Sequence, residues 1–382
     1  MKLRYFDHNA TTPLCPLARE AWLAASQDQW LNPSSPYRAA AAVRVRFEVA
    51  RESLAERFDI APGRVVFTSG ATEANNAVIR HWAQVLPAGG RVGVNPTEHP
   101  SVIEAAKALL GARIQWLPLT CDGRVDIDAL GELVHSGALL AVSVMAANNE
   151  TGVIQPWQAI AELCAQAQIP YHCDASQWVG KMPLAGLSSC SYVTACAHKF
   201  GGGKGVGFLL LPSAEDACGS LLGGAQEAGR RAGTEDVAGV LAMLAALEDS
   251  SLGDTAARDA FIERVSAAVA GAAVVGADAP RLWNTVSIIM PQHLSVRWIR
   301  ALERKGFLLS AGSACSTGES TVSTVLLAMG VSEAAASRVL RISAGSETTL
   351  EDWQALADAI AACYEWLNAE AAGSRSTVIS IN

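Results

Sequence analysis

The sequence has little that would take it to a membrane or to nucleic acid. Its apolar runs are short: "ALLAVSVMAA" is among the longest, roughly half of the ~20 residues that span a bilayer. The opening "MKLRYFDHNA" has no apolar signal core. No run of Lys or Arg relieves a net charge of -8 and a pI near 5.4, which argues against a nucleic-acid or anionic-membrane partner. Of the nine cysteines none is spaced C-x-x-C, Cys190 and Cys196 are wrongly spaced for a zinc knuckle, and no H-E-x-x-H supplies histidine ligands. No protein metal site is expected. With no secretory features the thiols read as free, most of them small core residues, and the cytoplasm is the expected compartment.

What is present is ample core material: 382 residues, half of them hydrophobic. Seven short β-rich runs, "RVVFTSG", "RVGVNP", "RIQWLPL", "LLAVSVMAA", "IPYHCDAS", "YVTACAH" and "GVGFLLL", alternate with helical patterns such as "TEANNAVIRHWAQVL", "PSVIEAAKALLG" and "PWQAIAELCAQAQ". From about Arg64 to Pro212 the chain therefore reads as α/β with a mostly parallel sheet, and ligands are expected at the carboxyl ends of its strands. After "TEDVAGVLAMLAALED" the pattern becomes that of a smaller α+β domain. Its last helix has a start signal in Thr348 followed three residues later by Glu351.

The strand ends carry the chemistry. "AHKFGGGKGVGF" is no P-loop, because His198 stands where a glycine is needed and Gly205 follows Lys204. A lysine at a strand end, able to form a Schiff base, with glycines that let the backbone pass a bound ring, is the reading that remains. Asp174 closes an apolar strand in "HCDASQ", where a carboxylate suits a cationic partner such as a protonated pyridine nitrogen. In "FTSGATEANN" a strand turns through Gly70 into a helix whose first amides, near Ala71 and Thr72, can bind a phosphate. His99, in "TEHPS", follows another strand and can stack on a flat ring. Helix capping or an ordinary core role explains each residue singly; the set together matches pyridoxal 5'-phosphate.

At this point the chain resembles a known group, the cysteine desulfurases of the iron-sulfur-cluster and nitrogenase-associated type, in class V of the fold-type-I pyridoxal phosphate enzymes. The resemblance runs through "DHNATTP", "NPSSPY", "FTSGATEANN", "TEHPSV", "NNETG", "HCDASQ", "AHKFGGGKG", "GGAQEAGRRAGTEDV" and "SAGSACSTG", in order and over nearly the whole chain. It implies a fold-type-I transferase with a large seven-stranded α/β domain over residues 13–250 and a small α+β domain over 1–12 and 251–382. It further implies that Lys199 holds the cofactor and shuttles protons, that His99 stacks on the ring, and that Asp174 pairs with the pyridine nitrogen. Gln177 and Asn149 address the ring hydroxyl; Ala71, Thr72, His198 and the residue at 196 hold the phosphate. Thr234 reaches the phosphate of a neighbouring subunit, so a homodimer is implied. Arg341, helped by Asn32, grips the substrate carboxylate.

The implied reaction converts L-cysteine to L-alanine and leaves the sulfur as a persulfide on Cys315, for delivery to a sulfur-acceptor protein in iron-sulfur cluster assembly or a related pathway. A free thiol is mostly protonated at neutral pH, and His99 is the nearest candidate in role to take its proton. A selenocysteine lyase or another class V lyase or aminotransferase is the alternative; Cys315, in a loop of small residues able to carry a thiol to and fro, argues against those that need none. Three departures stand out. Cys196 replaces a phosphate-binding serine, Ser346 stands where a second arginine often sits, and the chain ends short of the extension with which housekeeping relatives meet scaffold proteins.

Overall fold

Each of the seven β-rich runs becomes a strand of one sheet: β1 (Val65–Thr68), β2 (Arg91–Val94), β3 (Ile114–Trp116), β4 (Leu139–Ser143), β5 (Tyr171–Asp174), β6 (Tyr192–Cys196) and β7 (Gly207–Leu210). The computed structural model describes residues 3–312 and 322–375, with side chains through Ala372. Strand order is β1-β7-β6-β5-β4-β2-β3. All neighbours are parallel except β7, which runs antiparallel to both β1 and β6. Strands β1, β5, β6 and β7 are buried along their whole length, as a sheet covered on both faces requires.

The covering helices are those the apolar periodicity marks. Ala71–Val85 buries Ala74, Asn75, Ala77, Val78, Ile79 and Trp82. All of these but Asn75 share one core with Val102, Ala105 and Ala106 of the Pro100–Leu109 helix and with Val66, Val92, Val94 and Ala141 of the sheet. Truncating Trp82, 1% exposed, to alanine there costs about 3–5 kcal/mol. Helices Pro16–Asp28 and Arg38–Arg57, which the sequence reading did not assign, pack against Val237–Asp249. They belong to the unit that comprises Thr11–Asn149 and Ile154–Leu252.

The second unit comprises Met1–Ala10, Glu150–Val153 and Gly253–Asn382. Its antiparallel sheet contains β8 (Ala273–Val274), β9 (Thr285–Ile289), β10 (Ser310–Ala311) and β11 (Val339–Ser343), in the order β10-β11-β9-β8. The strip Glu150–Val153 is held in this unit by the Ser287 hydroxyl, which donates to the Glu150 carbonyl at 2.7 Å, and by a bridge from Val153 to Arg281. Phe6, Phe261, Trp298 and Trp353 lie in one core, beneath helices Ala256–Ala268, Ser295–Arg304 and Leu350–Arg375. The last helix starts differently from the sequence expectation. Thr349, not Thr348, forms the cap, its hydroxyl accepting from the Asp352 amide at 3.2 Å while Asp352 accepts from the Thr349 amide at 3.3 Å. Thr348 is already engaged, accepting from the Gly345 amide at 3.0 Å. No described helix is long and apolar enough to cross a membrane.

Candidate active site

The phosphate cradle expected after β1 is shaped by two glycines. Gly70, the N-cap of the Ala71–Val85 helix, has φ 143°, in the region that favours glycine. Gly207, paired with both Thr68 and Cys196, has no side chain for a steric reason: a Cβ there would meet the Ala195 carbonyl at 2.5 Å and Gly70 Cα at 2.6 Å. The turn thus closes onto the sheet and presents the amides of Ala71 and Thr72 at a helix N-terminus, where the dipole favours an anion. Cys196, at the end of β6, lies beside it. The Ala71 amide donates to the Cys196 sulfur, and burial pushes the thiol up to about 11, so it is neutral.

Lys199 ends a short turn, Ala197–Lys199, that follows β6. The turn is laced by two threonines of "NATTP". The Thr12 amide and hydroxyl both donate to the His198 carbonyl, at 2.8 and 2.9 Å, and the Thr12 hydroxyl accepts from the Gly201 amide at 2.7 Å. His198 Nδ1 lies 3.2 Å from the Thr11 hydroxyl. Burial first, then Lys199 and its neighbouring cations, lowers His198 to about 4. It is a neutral imidazole, able to donate one hydrogen bond to a phosphate.

Asp174 ends β5 and is buried. Its hydrogen bonds come from neutral donors: the Ser176 amide and hydroxyl on Oδ1, at 2.9 and 2.6 Å, and Asn75 Nδ2 on Oδ2, at 2.7 Å. Such an environment holds a carboxylate in place without cancelling its charge. Asn75 also donates to the Ser101 hydroxyl at 2.9 Å, and that hydroxyl lies 2.8 Å from His99 Nδ1. One buried amide thereby joins the anion to the stacking candidate. The far side of Asn75 accepts from Thr194, which meets the buried His172 at 3.2 Å.

His99 caps the Pro100–Leu109 helix, its Nδ1 accepting from the Ser101 amide at 3.1 Å. An amide only donates, so Nδ1 is bare and the proton of the neutral ring is on Nε2. Burial lowers the His99 pKa, Asp174 raises it in part and Lys199 lowers it again. The ring is uncharged at neutral pH. Gln177, close behind Asp174 in sequence, accepts from the Lys181 ammonium at 2.5 Å through Oε1, which turns its amide nitrogen to the other side.

The structure therefore gathers Ala71, Cys196, His198, Lys199, Asp174 and His99 in one electrostatically linked set. Asn32 and Thr234 are on exposed loops, the Asn32 carboxamide capping the Ser34 amide at 2.9 Å. Asn149 is partly buried beyond β4. Arg341, in the centre of β11, is buried and paired through Nη2 with Asp7 Oδ1 at 2.7 Å. Cys315 lies outside the described residues. Among those described, His81, Asp216 and Cys218 place three potential ligand atoms within 4.8 Å of one another. Asp216 is taken up there by the Tyr192 hydroxyl at 3.0 Å and the Cys218 amide at 2.8 Å, and burial pushes the thiol up to about 12; the trio brings the loop after β7 against His81 of the Ala71–Val85 helix.

Pyridoxal phosphate fits this set. The Gly70 turn supplies a phosphate cradle, a buried carboxylate with neutral donors suits the pyridine nitrogen, and a strand-end lysine suits the aldehyde. Sequence reasoning missed Asn75, Ser101, Thr11, Thr12 and Lys181. Asn75 alone had a signal, a carboxamide on the apolar stripe of its helix.

Comparison with known proteins agrees. The sequence pattern of the family described as aminotransferase class-V matches residues 4–356. An "IscS-like cysteine desulfurase" of Mycobacterium tuberculosis is 37% identical, over 92% of this chain and 93% of the relative. A "Cysteine desulfurase" of Cereibacter sphaeroides is 33% identical, over 97% of each. Among solved structures, a "NifS-like protein" superimposes with TM-score 0.84 at 28% identity, covering 96% of this chain and all of that one. "SspA in complex with cysteine" does so with TM-score 0.78 at 27% identity, covering 89% and 98%. The chain belongs to the class-V aminotransferase family and, within it, to the cysteine desulfurases.

Proposed function

We propose that in this pyridoxal phosphate-dependent cysteine desulfurase Lys199, Asp174, His99 and Cys315 carry the reaction on L-cysteine, with Arg341 and Asn32 receiving the substrate carboxylate. The observation that carries the assignment is Asp174, a buried carboxylate whose donors are neutral, at the end of the strand beside the Lys199 turn. Bound pyridoxal phosphate supplies an electron sink that makes the substrate Cα–H acidic. Asp174 keeps the proton on the pyridine nitrogen, on which the sink depends. The Ala71 and Thr72 amides and the neutral His198 bind the phosphate, while the Gln177 amide nitrogen and Asn149 meet the ring hydroxyl. Lys199 Nζ would hold the cofactor covalently and, when free as an amine, would move the proton at the substrate Cα.

Cys315 then attacks as thiolate. Its sulfur forms a bond to the substrate sulfur, the substrate Cβ–S bond breaks, and the electron pair of that bond stays with the carbon skeleton, which takes up protons and leaves as L-alanine. One thiol and one L-cysteine become one persulfide and one L-alanine. The tautomer that Ser101 imposes makes His99 Nε2 a donor at rest, so His99 accepts a thiol proton at Nε2 only if its own proton moves to Nδ1 and the Ser101 amide bond is given up. A homodimer completes the reading. Thr234 is on an exposed loop, and Leu222, earlier in the same connection, is wholly exposed in the single chain. The persulfide passes to an acceptor protein for iron-sulfur cluster assembly or a related use, in a compartment such as the cytoplasm that keeps thiols reduced.

Feeding L-cysteine to the purified holoenzyme and to Lys199→Ala tests the assignment of the lysine. Alanine release is expected to fall at least a thousandfold in the variant, with loss of the covalent cofactor absorbance. Turnover within tenfold of the parent would contradict it.

A further inference from the structure

The backbone around Lys199 is held open by a side chain from far away in the sequence. The turn Ala197–Lys199 is of the 3-10 kind, with the Phe200 amide donating to the Ala197 carbonyl at 3.1 Å. Continued, that pattern would next bond the Gly201 amide to the His198 carbonyl. The Thr12 hydroxyl stands between those two groups instead: it accepts from the Gly201 amide at 2.7 Å and donates to the His198 carbonyl at 2.9 Å. One oxygen thus takes the place of a direct bond, and the two residues it spans are Lys199 and Phe200.

The wedge is secured on both sides. The Thr12 amide donates to the same His198 carbonyl at 2.8 Å, and the Cys15 amide donates to the Gly201 carbonyl at 2.9 Å. Gly201 has φ 93°, in the region that favours glycine, and a Cβ there would press on Cys15 Cβ at 3.2 Å. Phe200 is buried against Gly180, where a Cβ would come within 2.2 Å of Phe200 Cβ. The chain before and after Lys199 is therefore fixed by Thr12, Cys15 and Gly180.

We propose that Thr12 is a positioning residue for Lys199, its hydroxyl keeping the turn open so that the lysine amine is aimed at the reacting atoms. The inference rests on the reading of Lys199 as the residue that holds the cofactor and moves the Cα proton. The physical argument is one of reach. A lysine carries its amine on a flexible four-carbon stem, so where the amine arrives depends on where the backbone starts it. A proton moves only across a hydrogen-bond distance, roughly 2.6–3.2 Å, and misplacement by about 1 Å costs on the order of a hundredfold in rate. Valine at position 12 keeps the shape and loses the hydroxyl. The Gly201 amide and the His198 carbonyl then satisfy each other by the direct bond, because neither is left unpaired without cost; the turn tightens and Lys199 is drawn off its line. Serine keeps the oxygen and with it the open turn.

The test compares the holoenzyme with Thr12→Val and Thr12→Ser on L-cysteine and on L-cysteine deuterated at Cα, counting alanine per covalently bound cofactor so that lost enzyme is not read as lost rate. Thr12→Val is expected to lower kcat about tenfold with little change in KM. Its isotope effect on kcat is expected to be above one and no smaller than the parent's, since slowing a proton transfer makes that step more rate-limiting. Thr12→Ser is expected to stay near the parent. A Thr12→Val kcat that falls less than about threefold overturns the proposal. So does a lowered kcat with no isotope effect, which places the loss outside proton transfer, and so does a Thr12→Ser variant as slow as the valine one. Should Thr12→Val fail to fold, Thr12→Ser decides: kcat within about threefold of the parent's, with the parent's isotope effect, supports the proposal, and a larger fall overturns it. Lys199→Ala keeps the two layers apart. Alanine formation retained there fails the reading of Lys199, whatever Thr12 does; alanine formation lost there beside an undiminished Thr12→Val fails the positioning alone.

Discussion

Asn75 Nδ2 lies 2.7 Å from Asp174 Oδ2, deep in the end of the sheet, and the same nitrogen reaches the Ser101 hydroxyl that bonds His99. The pair sets the position of two groups with one side chain. Asn75→Ala removes a donor from a buried carboxylate and leaves Ser101 and Thr194 short of a partner, a loss of about 1–3 kcal/mol in stability. A lower melting temperature and weaker cofactor retention are expected, with Asn75→Asp worse than alanine because it sets a second carboxylate against Asp174. Thermal melting and cofactor titration check both; an alanine variant that melts and binds like the parent refutes the bridging role.

Cys196 sits where its sulfur receives the Ala71 amide, with the thiol pushed up to about 11 by burial. A serine hydroxyl of similar size donates a stronger hydrogen bond to a phosphate. Cys196→Ser is expected to tighten cofactor binding roughly fivefold, the equivalent of about 1 kcal/mol for one improved bond. Equilibrium titration of the cofactor-free protein measures it, and weaker binding in the variant would show that the cradle is fitted to sulfur.

Glu98, beside His99 in sequence, is buried with its Oε1 receiving the Met145 amide. Burial, and after it the charge of Asp174, raises its pKa well above the ordinary carboxyl value. The folded protein therefore holds a proton there that the unfolded chain releases, and stability falls as pH rises from about 4.5 toward the folded pKa, by up to roughly 1.4 kcal/mol per unit. Glu98→Gln removes that loss. Its melting temperature is expected to match the parent's near pH 4.5 and to exceed it increasingly above; a constant difference across pH would mean that Glu98 is ionised in the fold. Buried His172, lowered to about 4 by desolvation, acts in the opposite sense, since stability lost on its account appears as pH falls from about 6.5 to 4.

Much of this was legible in the residues alone. The seven strands were, because runs such as "YVTACAH" are apolar on both faces and are bounded by turn residues; so was the place of Asp174, because a charged residue ending an apolar strand is costly without a purpose, while Lys199 lies in the turn that follows the next strand. The connections were not. Asn75 meets Asp174 across 99 positions and Thr12 meets His198 across 186, and such contacts follow from how strands are ordered in the sheet, which local periodicity does not encode. The start of the last helix moved by one residue for a similar reason: Gly345 claims the Thr348 hydroxyl, and Thr349 inherits the cap.

The central claim is that sulfur leaves L-cysteine onto the thiol of Cys315. Its most direct measurement is the mass of the intact chain after one turnover with L-cysteine, in the parent and in Cys315→Ser, with alanine counted alongside. The account predicts one added sulfur on the parent, mapped to the peptide containing Cys315, no added sulfur on the variant, and alanine formation in the variant reduced at least a hundredfold. Equal persulfide and equal alanine in the two proteins would contradict it.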